Sequence, residues 1–169
     1  MPEDSEKEKL DLLRGLTDQA FEGIKAEMKR LKLDRGKAAY RRPLDLLEEA
    51  YLAIRYPVAA KGGASLPLLA LRGAIDRSVE ELVRRSPAQQ KGEKRRDRIL
   101  SIGLHCGKKG LALAHFDTLA AEDEAVNREL SDQGNQAALE RPDLAKQFLR
   151  AAQFLRALLS SVDEALLKP

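Results

Sequence analysis

From Arg84 to Lys109 the chain reads RRSPAQQKGEKRRDRILSIGLHCGKK, and its side chains are of the types that act on phosphate. Nine lysines and arginines stand against two acids, Glu93 and Asp97, so the segment carries +7; the whole 169-residue chain carries only +3, which leaves −4 for the rest. The same segment holds the single cysteine, Cys106, and one of two histidines, His105. Cations repeated along a helix neutralise the phosphates of a nucleic acid, or dock on an acidic protein surface, by attraction that needs no enclosed pocket. Lys91, Lys94, Arg95, Arg96 and Arg98 fall on consecutive helical turns, with Lys108 and Lys109 just past the helix end, and these seven form the candidate polyanion-binding set. Seven more basic residues between Lys29 and Arg42, against Asp34 alone, extend that surface if the fold brings the two together. No aromatic residues interleave the basic helix, so contact with phosphate is expected rather than stacking on bases.

Arg98 and His105 are separated by six residues. That spacing, in a helical chain, resembles the R-x4-6-H signature of HEPN-type ribonucleases. The resemblance covers these two residues. It implies metal-independent cleavage in which the histidine acts on the ribose 2′-hydroxyl and the arginine stabilises the phosphate transition state, the sites meeting across a dimer. Ile99 stands where that family commonly has a polar residue after the arginine. On an unbroken helix the two residues share a face, roughly 10 Å apart along the axis, so a pair within one chain would need a bend at Gly103.

The stretch GLHCGKKG, Gly103 to Gly110, has the glycines and lysines of a phosphate cradle, but its spacing differs from one. Three residues separate Gly103 from Gly107 where a Walker loop has four, and Lys109 stands where Ser or Thr should follow the lysine. A glycine-rich helix stop is the expectation. His105, Cys106 and His115 offer three zinc-ligand types where four are usual, without CxxC or HxxxH, so neither a metal nor another cofactor is expected. Asp117, Glu122, Asp123, Glu124, Glu129 and Asp132 read as a solvated acidic helix face.

These groups are carried by helices. Leu10, Leu13, Leu16, Ala20, Ile24, Met28 and Leu31 repeat at three-and-four spacing, predicting a first helix from Ser5 to about Leu31. Pro43 suits the first turn of a second, which stops before Pro57. Ser65 and Pro67 open a third, running to Arg84 and Arg85. A fourth covers Gln90 to Leu104 and ends at the glycines Gly103, Gly107 and Gly110, and a fifth covers His115 to about Ser131, broken by SDQGNQ. The last starts at Pro142 and Asp143 and carries its apolar stripe to Leu166. The first and last helices, each roughly 25 residues or about 38 Å, are expected to run antiparallel as the frame.

The expected fold is an all-α, single-domain helical bundle of about six helices over residues 1–169, with long first and last helices. With 34% charged, 43% hydrophobic and only 4% aromatic residues, the composition is that of a folded, helix-rich chain. One cysteine forms no internal disulfide, the acidic start MPEDSEKEKLDLL lacks a secretory pattern, and no apolar run approaches the roughly 20 residues of a membrane span; a cytoplasmic protein with no membrane partner is expected. The leading functional expectation is a binding or assembly protein whose basic face engages nucleic acid or an acidic protein partner, rather than an enzyme. The ribonuclease using Arg98 and His105 is the alternative. So is a non-catalytic scaffold, a homo-oligomer or a subunit of a larger assembly, that packs a long helix against another copy.

Overall fold

A computed structural model of the chain describes residues 2–35, 42–56, 65–87, 94–134 and 141–169. It is an all-α bundle: α1 (Pro2–Arg30), α2 (Pro43–Arg55), α3 (Ser65–Arg85), α4 (Arg95–Cys106), α5 (Leu113–Gly134) and α6 (Arg141–Ser160), followed by a 3-10 turn at Glu164–Leu166. Among the described residues no helix is long and apolar enough to cross a membrane.

The apolar spacing of the sequence becomes the inward stripe of each helix. In α1, Thr17, Phe21, Ile24 and Met28 are buried at intervals of four, three and four. The helix then stops in a Schellman turn: the N–H of Leu33 bonds the carbonyl of Met28 at 2.8 Å and that of Lys32 bonds Lys29 at 3.1 Å, while Lys32 takes a left-handed φ of 59°. Met28 and Leu33, both fully buried, close the turn with the apolar contact such caps require. Pro43 opens α2, and the carboxylate of Asp45 accepts the backbone N–H of Arg42 at 3.3 Å. Tyr51 of α2 stacks on Phe21 at 4.1 Å between centroids and donates its hydroxyl to Asp18 at 2.6 Å. Burial, then the Asp18 carboxylate, push that phenol up to about 12.

Three boundaries differ from expectation. Within the described residues α4 begins at Arg95, and it continues unbroken through Gly103 to Cys106; Gln90 and Lys91 lie outside the described residues. Helix α5 continues through SDQG instead of breaking there. Helix α6 has 20 residues and ends at Ser160. The apolar repeat that seemed to prolong it belongs to Val162, whose backbone pairs with Gly107 in an isolated antiparallel bridge, and to the 3-10 turn beyond.

The expected antiparallel frame is also corrected, because α1 and α6 run parallel. At one end the Arg30 guanidinium bonds the carbonyls of Leu159 and Val162; at the other, Leu10 and Leu13 line a recess with Ala145. The reversal comes from α4. Its first residue, Arg95, pairs with Asp76 in the middle of α3, while Cys106 lies against Ser86 just past the end of α3. Helices α3 and α4 therefore point the same way, and strict alternation is lost. Helix α5 runs back along α4, with Phe116 on Gly103 and Asp123 on Arg95, and α6 runs back along α5, with Arg150 on Glu129 and Ser161 on His115.

The C-termini of α1, α3, α4 and α6 consequently meet at one end of the bundle. Four such ends bring together unpaired carbonyls and four negative dipole poles, an arrangement that needs donors and positive charge. Two arginines supply both. Arg30 caps α6 through Leu159 at 2.9 Å and Val162 at 3.0 Å, and Arg85, only 6% exposed, donates to Leu31 at 2.5 Å and to Lys168 at 2.9 Å. Backbone pairs Lys108 to Ser161, Asp163 to Cys106 and Lys168 to Arg85, at 2.8–2.9 Å, lace the same end together.

Candidate polyanion-binding surface

The basic segment divides into two parts. In its α4 half two of the four described cations, Arg95 and Arg96, pair with carboxylates of the same chain. Arg95 reaches across to α3 and α5, pairing with Asp76 and donating from Nη2 to Asp123 Oδ1 at 3.0 Å. Its Nε is 2.8 Å from Asp123 Oδ2, an ion contact too bent to count as a second hydrogen bond. Asp123 is 2% exposed, so it is no part of a solvated acidic face as its sequence neighbours suggested. Burial raises its carboxyl above the ordinary value, and Arg95 pulls the other way. Removing either partner leaves a charge or a carboxyl without its complement in a nearly dry site.

Arg96 is exposed but bonds Asp117 of α5 at 2.7 Å. Lys94 is exposed and Arg98 half-buried, neither with an ion pair among the described residues; Lys91 lies outside them. Of the expected α4 cations, then, Lys94 and Arg98 remain available to an external anion, and Arg95 and Arg96 are engaged by carboxylates of the same chain. Arg98 and His105 lie seven positions apart on the unbroken α4, so they share a face and stay roughly 10 Å apart along its axis. They do not meet within one chain.

The glycines of GLHCGKKG have a packing role. A Cβ on Gly103 would sit 2.2–2.7 Å from the base of the Phe116 ring, and one on Gly107 would sit 2.5 Å from the Gly103 carbonyl and 3.0 Å from the ring. The bare backbone of the last turn of α4 is therefore the seat of a fully buried phenylalanine, and Gly107 serves as the helix stop. Cys106 points into the core beside Ser86, and burial pushes its thiol up, against the reactive direction. His115 lies 2.8 Å from Ser161 Oγ. Because that hydroxyl spends its proton on Ala157 at 2.6 Å, it accepts from His115 Nε2–H. His105, Cys106 and His115 thus have separate surroundings. Among the described residues no three His, Cys, Asp or Glu side chains converge as a metal site.

Lys108 and Lys109, the other half of the segment, sit at the end where the four helix C-termini meet, and here the fold joins them to the earlier cluster. Arg30 bonds Val162, Val162 pairs with Gly107, and Lys108 follows. Lys29, Lys32, Arg35, Lys108 and Lys109 are all exposed there, with no ion pair among the described residues. Of the described aromatic residues only Tyr56 is exposed, at the end of α2 far from this surface. Sequence reasoning named the Lys29–Arg42 cluster only as an extension of the α4 set; the signal that joins it to Lys108 and Lys109 is that basic residues close α1 and α3 as Lys29–Arg30 and Arg84–Arg85, where helix ends gather.

Recesses elsewhere among the described residues include one of about 20 Å³ among Leu10, Leu13, Arg14 and Ile54, and an open groove of about 210 Å³ between Glu122, Val126, Arg150 and Phe154. Both are smaller than the roughly 300–1,000 Å³ of ordinary small-molecule sites. Comparison with protein-family models, with curated proteins and with solved structures gives no match to this chain.

Proposed function

We propose that this chain is a binding protein that engages the phosphate backbone of duplex nucleic acid through the basic end of its bundle. The observation that carries this reading is the convergence of Lys29, Lys32, Arg35, Lys108 and Lys109, exposed and without carboxylate partners among the described residues, from two basic clusters separate in sequence. Point charges of this kind bind phosphate without reading bases. Among the described residues the scarcity of exposed aromatic rings favours a duplex over a single strand, whose affinity comes largely from stacking.

Fluorescence anisotropy with labelled duplex and single-stranded oligonucleotides, titrated across salt, tests the proposal. Five phosphate contacts give a plot of log K against log salt with a slope of about −4.5 on duplex DNA. Replacing Lys108 and Lys109 by glutamine makes that slope shallower by about 2 and leaves stability almost unchanged. Absence of binding at low salt refutes the nucleic-acid reading; salt-sensitive binding to an acidic protein alone would reassign the surface.

A further inference from the structure

Among the described residues nine large apolar side chains are exposed, and five of them fall into two groups. Leu104 (68% exposed), Leu111 (41%) and Leu113 (52%) lie within ten residues on the hairpin joining α4 to α5, and Lys108 and Lys109 stand between them. In the opposite half of the bundle Leu12 (64%) and Leu16 (42%) are exposed on α1, whose residues 2–9 are all exposed. Asp4, Glu8, Leu12 and Leu16 follow one another at four-residue intervals, so they form a single stripe down the helix. Asp4 and Glu8 make no ion pair among the described residues, and neither do Lys108 and Lys109. From Glu3 to Asp11 there are five acids against Lys7 and Lys9.

We infer that the acidic, leucine-bearing start of α1 docks on the α4–α5 hairpin of a second copy of this chain. The two surfaces match in kind: two carboxylates followed by two leucines on one, two lysines among three leucines on the other. They lie toward opposite ends of the molecule and on different sides of the bundle, α1 packing on α2 and α6, and α4 on α3 and α5, so one neighbour does not cover both; the contact is heterologous, and each copy that gives its α1 stripe still offers its own hairpin. Association of this type grows head to tail into a ring or a filament and does not stop at a symmetric dimer. The inference stands apart from nucleic-acid binding, since it is tested without nucleic acid. It shares Lys108 and Lys109 with that reading, so a bound polyanion and a docked neighbour compete.

Light scattering on the full chain at low salt, over rising concentration, reads the assembly directly. The weight-average mass is expected to climb past twice the 18.8 kDa of one chain without a plateau at the dimer, and to fall back as salt is added. An α1 variant, Asp4→Lys with Glu8→Lys, and a hairpin variant, Leu104→Ser with Leu113→Ser, each stay monomeric alone. Mixed in equal amounts they leave one intact contact, the α1 stripe of the hairpin variant on the hairpin of the α1 variant. The mass then doubles and stops. Adding Lys108→Glu and Lys109→Glu to the α1 variant restores growth by exchanging the charges. Circular dichroism checks that each variant keeps its helices, and the charge exchange is the second test should the leucine variant not fold. A wild-type chain that is monomeric at every concentration, one that stops at a dimer, or variants that grow as wild type does would each overturn the inference.

Discussion

Substituting alanine for Gly103 separates two physical effects of opposite sign. Gly103 lies inside α4, where alanine is favoured over glycine by about 1 kcal/mol from helix propensity. Its added Cβ, however, would lie 2.2, 2.4 and 2.7 Å from Cγ, Cδ2 and Cδ1 of Phe116, against about 3.5–4.0 Å for carbon atoms in contact. These atoms are at the root of the ring, close to the α5 backbone, and Phe116 is 1% exposed, so the ring has no free volume to swing into. Helix α5 has to withdraw by about 1 Å, and overpacking of this kind costs about 2–3 kcal/mol. The net effect is a loss of about 1–2 kcal/mol, a sizeable share of the 5–15 kcal/mol typical of a domain. Urea unfolding followed by far-UV circular dichroism measures it, the chain having no tryptophan. Adding Phe116→Leu, which removes the crowded ring, should cost less in the alanine background than in the wild type by about 1 kcal/mol. A Gly103→Ala chain as stable as the wild type, or more so, would refute the seat assigned to Phe116.

Arg95→Met should cost about 3–5 kcal/mol near neutral pH, because Asp123 is left buried and unpaired. The carboxyl of Asp123 already lies above its unfolded value of 3.8, so the folded state takes up its proton first. Without Arg95 to pull it down the variant's Asp123 carboxyl lies higher still, so the deficit shrinks as pH falls through the variant's value, and unfolding curves at about pH 7 and about pH 5 check the sign. Lys32→Gly should stabilise the chain by about 1 kcal/mol, since a left-handed φ of 59° is strained for lysine and free for glycine. Calorimetry reads this as a rise of about 2–4 °C in Tm. The same change removes one proposed phosphate contact and makes the salt slope shallower by about 1.

All six helices were legible in the sequence, because three-and-four spacing states which side of each helix is wet. It does not state which way the helix points. Leu10 to Met28 and Leu144 to Val162 are stripes without polarity, and the parallel course of α3 and α4, on which the sense of α6 follows, is visible only in contacts such as Arg95 with Asp76 and not in any local pattern. Charge counting met the same limit. Arg30, Arg85 and Arg95 add to local basic totals exactly as Lys108 does, yet they bond carbonyls or buried carboxylates inside the bundle. One clue to this was available. Asp123 falls between Leu119 and Val126 on the apolar stripe of α5, and an acid in that register calls for a buried cation. Gly103 and Gly107, one turn apart, likewise mark a close helix approach, but nothing in their spacing names Phe116 as the occupant.

The carbonyls that Arg30 caps belong to residues 129 and 132 positions further along the chain. At a synthesis rate of roughly 5–20 residues per second, the end of α1 waits about 7–26 s on the ribosome before those partners exist. The cap that Arg30 places on α6 therefore forms only after the last helix has been made. The carbonyl of Arg85, at the end of α3, likewise waits for the N–H of Lys168. The end of the bundle that carries the basic residues is thus completed last, by the residues that follow α6.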